Sequence, residues 1–371
     1  MSAAGAAVFL LLPVIVGSAV DDLGLSERQS GYLISSYFAG YMLVGISALF
    51  WIRRVNWRVL ALTSYVVLAL GLSIAAFLHN LTELAVIFFV AGSAAGALFG
   101  LGVTMISDSA NPDRNFGLVL VSQQVLAAGL LFTLPDLVIA RWGFQGLSLA
   151  LAVFLLILAY SVVWIVPSKR QESEDNSPLL LTASPLPSWV WTGLAALAIY
   201  FAALSAVWAF VERLANTHGL TTAQVGFALG ISMIGGVVGG LGAVVLGNRW
   251  GRVMPLIGST LLFIAVFFFY GQGFQVIGFT LATFLFFAAW NYILAYQMAI
   301  ITELDQAGRY SVLIPSAQAL GALCGPLTAG YIIQGFGYIP LLWCASIVIT
   351  FSVIPFTIFT RAAKRNDQKV A

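Results

Sequence analysis

The sequence predicts an all-α membrane protein of twelve transmembrane helices, built as two parallel six-helix repeats. Three observations carry this. Apolar residues make up 61% of the 371 positions and charged residues only 8%, against about 25% charged in a soluble domain, so most of the surface cannot face water. The apolar residues fall into twelve runs, each long enough to cross a hydrocarbon layer of about 30 Å at about 1.5 Å per residue. Short stretches also recur at a fixed separation: GLSERQSGY at 24–32 returns as GLTTAQVGF at 219–227, an offset of 195.

Taken in order, the first run, 3–20, lacks the basic start of a secretory signal, and eleven more follow it, so it reads as span 1. Span 7 begins near Trp189, and the repeat offset puts the equivalent start of span 1 before Met1; span 1 is therefore expected to be short, or the chain to start at an internal codon. Span 2 (30–51) follows Ser26 and Gln29, whose spacing is that of a capping box. Spans 3 (58–78), 4 (84–106), 5 (117–140) and 6 (145–166) complete the first copy. The segment 167–188, PSKRQESEDNSPLLLTASPLPS, reads as a flexible linker. Spans 7 (189–211), 8 (225–246), 9 (253–271), 10 (275–301), 11 (311–333) and 12 (338–360) form the second copy, with Thr221 and Gln224 capping span 8. The expected domains are thus 1–166 and 189–371, joined by 167–188. Continuous apolar runs exclude a β-barrel, whose strands alternate polar and apolar residues.

Gly31, Gly40 and Gly45 recur as Gly226, Gly235 and Gly240, all at an offset of 195, and Asp108 and Arg114 recur as Glu303 and Arg309. RVNWRV at 54–59 lies opposite NRWGRV at 248–253, at 194. An even number of spans per copy keeps both copies in one orientation, so the repeat is parallel. Arg53, Arg54, Arg58, Arg114, Lys169, Arg170, Arg249, Arg252, Arg309, Arg361, Lys364, Arg365 and Lys369 fall on one side, and only Arg28, Arg141 and Arg213 on the other. Short cytoplasmic loops hold the excess of Lys and Arg, which places both termini in the cytoplasm.

A parallel six-plus-six arrangement with a long central loop resembles the major facilitator superfamily. The loop LGNRWGR is similar to the superfamily's motif through Arg249, Gly251 and Arg252, with Asn248 at the usual aspartate. The first copy keeps Arg58 but has Arg54 at the acidic position and Trp57 at the glycine. Span 5 lacks the Gly-Pro motif of the superfamily's antiporters, whereas span 11 contains GALCGPLTAG, read as a close-packing stripe. The stretch from Trp290 to Gly330 resembles prokaryotic members that handle small organic molecules. The resemblance implies a secondary transporter that rocks two halves about a midplane cavity, in the plasma membrane, as a monomer.

Charge within the membrane is costly, so each acid there is informative. Asp136 in span 5 and Glu212 at the end of span 7 are the candidate proton carriers, with Asp21 and Asp22 nearby. The alternative is ion pairing, Asp136 with Arg141 and Glu212 with Arg213 or Arg28. Neutral polar and aromatic side chains are the candidate solute-binding groups: Gln123 and Gln124 in span 5, Tyr200 and Trp208 in span 7, Trp290, Asn291, Tyr292, Tyr296 and Gln297 in span 10, and Gln318 in span 11. Either such an amide hydrogen-bonds a solute or it joins helices to one another. Arg58, Asp108, Arg114, Arg249, Arg252, Glu303 and Arg309 are the candidate gating groups; Asp108 with Arg114 and Glu303 with Arg309 read as ion pairs that stabilise the outward-facing state, or else as solvated loop charges. His79 and His218 read as surface residues, and Cys324 and Cys344 as packing residues.

Nothing resembles a phosphate-binding loop or a metal cluster, so neither primary pumping nor enzymatic activity is expected, nor any cofactor, metal or nucleic-acid partner. The partners expected are a small organic solute, neutral or apolar rather than multiply charged because the core is poor in charge, protons, and the bilayer. An uncoupled facilitator and a transport-inactive sensor or scaffold are the alternatives.

Overall fold

The computed structural model describes residues 1–107, 112–164, 188–247, 249–304 and 313–370. Among the described residues ten helices are long and apolar enough to cross a membrane, and a bent pair at the N-terminus makes an eleventh. One of the ten, Leu118–Trp164, is 47 residues long, about 70 Å if straight at the helical rise. Gly143, at φ 51° and ψ −143°, breaks it into spans 5 and 6. That accounts for all twelve crossings. Odd-numbered spans run from the Met1 end of the bundle to the Asp21 end, and even-numbered spans return.

Both expected capping boxes form. The Gln29 amide donates to Ser26 Oγ at 3.2 Å while Gln29 Oε1 accepts from the Ser26 amide at 2.8 Å. Thr221 and Gln224 do the same at 3.3 and 2.9 Å. The glycines also keep the repeat in three dimensions. A Cβ on Gly40 of span 2 would collide with the Phe89 carbonyl of span 4, and one on Gly235 of span 8 with the Phe284 carbonyl of span 10. Both partners are displaced by the same 195 residues.

Span 1 differs from its expectation as one continuous helix. Ser2–Leu10 and Leu12–Leu23 meet at 51°, with Pro13 in the first turn of the second piece. Proline has no N–H for the carbonyl four residues back, which is that of Phe9. The indole Nε1 of Trp208, in span 7, donates to it instead at 3.0 Å. Trp208→Phe keeps an aromatic ring but leaves this carbonyl without the indole, at an expected cost of about 1–3 kcal/mol. A drop in thermal unfolding temperature of the purified variant checks it.

The surface is that of a protein dissolved in lipid. Large apolar side chains such as Phe50, Leu70, Val244 and Ile277 are exposed along the spans. Exposed tryptophans, among them Trp142, Trp164, Trp189 and Trp250, mark the span ends, as expected of an interfacial belt. Trp208 and Trp290 depart from that pattern and are buried in the centre.

Candidate functional site

Among the described residues the two copies meet most extensively through three span pairs, 1 with 7, 2 with 11 and 5 with 8. Their close approaches lie toward the Asp21 end. Gly330 of span 11 faces the Glu27 carbonyl, where a Cβ would come to 2.6 Å, and Gly31 of span 2 faces the Pro326 carbonyl. Gly226 and Gly230 of span 8 pack on Pro135 and Phe132. The stripe in span 11 thus serves packing, and Gly321 and Gly325 do the same against span 7. Ser35 Oγ donates to the Leu323 carbonyl at 2.7 Å, and Arg28 donates to Tyr331 Oη at 3.0 Å while its guanidinium lies 4.2 Å from that ring. The hydroxyls of Tyr32 and Tyr331 also bond.

This aromatic clamp joins the halves, so Tyr331→Ala should loosen that end. A cation–π contact of about 1 kcal/mol corresponds to about a fivefold change in an open population. A cysteine placed at the buried Ser30, with Cys324 and Cys344 replaced by serine, should therefore react about fivefold faster with a maleimide.

The acids at the same end have separate fates. Asp21 pairs with Arg213, and Asp22 accepts the Phe144 amide at 2.7 Å, fastening span 1 to the span 5–6 turn. Glu212 is 2% exposed, its carboxyl lies against Gly17 of span 1, and its Oε2 has no hydrogen-bond partner among the described residues. The expected alternatives for it do not form: Arg213 turns to Asp21 and Arg28 to Tyr331. Asp136 is exposed and makes no ion pair with Arg141 among the described residues. It lies in a π-helical turn, Pro135–Ile139, that separates the helices on either side.

The solute-binding candidates do not form one chamber. Tyr200, Trp208 and Trp290 are buried in an aromatic cluster with Phe9, Phe201, Phe286 and Phe287. Tyr200 Oη reaches the Trp290 carbonyl at 3.4 Å. Gln124 and Asn291 converge on Gly236, where a Cβ would lie 3.2 and 2.9 Å from their amide nitrogens. Asn291 also donates to the Phe287 carbonyl at 3.1 Å. Gln123 binds Ser2 Oγ at 2.8 Å, Tyr296 binds the Gly247 carbonyl at 2.7 Å with Tyr292 beside it, and Gln318 faces Met298 Sδ at 4.0 Å. Gln297 is fully buried, and neither end of its amide has a partner among the described residues.

Of the gating candidates, Arg252 pairs with Glu303, tying the loop after span 8 to the end of span 10. Arg249 and Arg58 are exposed. Asp108, Arg309 and the Arg114 side chain lie outside the described residues. Gly251 has φ 67°, a conformation suited to glycine, whereas Trp57 at the matching place begins a helix capped by Asn56. The two loops therefore fold differently where their sequences diverge. His79 and His218 are exposed, and Cys344 faces the bundle's exterior rather than its packing. Among the described residues no group of three or more His, Cys, Asp or Glu could hold a metal.

A charge-poor bundle of two parallel repeats, joined at one end around a buried carboxyl, has the architecture of a membrane transporter. Residues 1–204 match the model of the Major Facilitator Superfamily, and the chain belongs to that superfamily. No curated protein matches it. Among solved structures it is similar to an aspartate-to-alanine variant of the nucleoside transporter NupG, with a TM-score of 0.77 at 12% identity, covering 96% of this chain and 97% of that one. It is also similar to NupG itself, at 0.73 and 13%, covering 97% and 96%. A bacterial homolog of the human lysosomal transporter Spinster, described as inward-facing and unoccupied, matches at 0.71 and 12%, covering 97% and 95%.

Proposed function

We propose that the chain is a secondary active transporter of a small, neutral organic solute, working by alternating access with protons as the coupling ion. The observation that carries this is Glu212, buried at the contact between spans 1 and 7 with an oxygen left unpartnered among the described residues. A carboxyl there, shared between the moving halves, can take up a proton when the contact closes and release it when water enters. Asp136 is exposed, although its neighbour Pro135 packs on span 8, and we assign the proton to the buried Glu212.

The Asp21 end faces out and both termini lie in the cytoplasm of a plasma-membrane monomer, on the strength of the Lys and Arg distribution. A neutral solute fits a centre lined by amides and aromatic rings, since burying a charge without a partner is costly. Segments 1–166 and 189–371 are the two moving bodies. Solute flux into proteoliposomes with and without a pH gradient tests the reading. A response to the gradient is expected; a flux that ignores it identifies a facilitator, and no flux a sensor or scaffold.

A further inference from the structure

Spans 2 and 11 touch toward the Asp21 end but part toward Met1, around a cavity of about 110 Å³ between spans 2, 4 and 11. Tyr41, Gly45, Ala48, Phe99, Thr104 and Ala319 line it, and no charged residue does among the described residues. None of these is among the polar candidates of the midplane. The wedge is there because spans 2 and 4 pack tightly through Gly92 and Gly96 and then diverge, so that a Cβ on Gly100 would lie 3.6 Å from Ile52 and one on Gly45 would meet nothing within 4 Å.

The wedge is connected to the centre by rings in sequence. Phe99 lies 5.9 Å from Tyr41, Tyr41 6.1 Å from Phe38, Phe38 5.8 Å from Phe9, and Phe9 5.7 Å from Trp290. Phe9 is the residue whose carbonyl Trp208 holds, so the path ends at the break in span 1.

We infer that this wedge binds a neutral molecule with a single ring and one hydrogen-bonding group, and that such molecules are the solute class. The binding stands on the cavity; the claim that bound molecules are carried rests on the transport reading above. Size sets the first limit, because an apolar cavity of about 150 Å³ takes one benzene ring and this smaller, open-sided wedge has room for no more than one. Charge sets the second, because no lining group offers a counter-ion and an unpaired buried charge is costly. The aromatic wall of Tyr41 and Phe99 favours a flat ring over an alkyl chain. The Tyr41 hydroxyl, which bonds no other group among the described residues, supplies the polar contact.

Phenol is the probe, and the readout is a saturable rise in thermal unfolding temperature of the purified full chain. Gly45→Leu places a side chain in the empty space and should abolish the rise while leaving the unliganded protein folded. Tyr41→Phe keeps the ring and should weaken binding about tenfold, the loss of one hydrogen bond. Absence of a saturable rise, or an equal one in Gly45→Leu, overturns the site. An equal rise with decanol that Tyr41→Phe does not change also overturns it, since an alkyl chain then fills the wedge. If phenol binds as expected but proteoliposomes move no solute, the transport reading fails and the site stands.

Discussion

Glu212→Gln should preserve solute exchange at equal concentrations and abolish accumulation driven by a pH gradient. Glutamine has the shape of the protonated acid but cannot release a proton, so the contact with Gly17 survives and the cycle loses its ion. A gradient of one pH unit carries about 1.4 kcal/mol per proton, enough to hold about a tenfold solute gradient if one proton moves with each solute. That accumulation is the quantity expected to vanish, measured as steady-state solute inside proteoliposomes at an imposed pH difference. Asp136→Asn, at an exposed site, should keep it. Accumulation that survives Glu212→Gln would remove the proton from this residue.

Gly239→Ala and Gly240→Ala, neighbours in span 8, should have opposite effects on stability. A Cβ on Gly239 would collide with the Ala288 carbonyl of span 10, while one on Gly240 would meet nothing within 4 Å. Alanine favours a helix interior over glycine by about 0.5–1 kcal/mol, and this is the whole expected effect at Gly240. At Gly239 the overlap forces the two backbones apart, and overpacking of this kind costs about 1–3 kcal/mol. The unfolding temperature in detergent should therefore fall for Gly239→Ala and hold or rise for Gly240→Ala. Equal shifts would mean that spans 8 and 10 do not meet as closely as described.

What could be read from the sequence was local or periodic. The capping boxes of spans 2 and 8 depend on residues three apart, and both form. The glycine register depends on a fixed offset, and Gly40 with Gly235 reproduces it in contact. The broken first span was signalled by Pro13, but an apolar run hides a proline whose orphaned carbonyl is met by a side chain 199 residues away. Asp136 could be placed in depth but not in azimuth, because the wider π turn at Pro135–Ile139 changes the face that follows. The wedge was invisible for a different reason: its lining is mostly glycine, alanine, aliphatic and ring carbon, which a lipid-dissolved chain contains everywhere. Only the divergence of spans 2 and 4 makes Tyr41 and Phe99 differ from their neighbours.

The matched contacts of Gly40 with Phe89 and Gly235 with Phe284 constrain how the two copies have been free to drift apart. Forty-nine positions separate the partners in each copy, yet the loops between them match at 194 rather than 195. One residue lost in the first stretch has been restored before the second partner is reached. The length change is absorbed around spans 3 and 9, which take no part in the pairs joining the copies. Across this stretch the helix pairs on either side of these peripheral helices keep time.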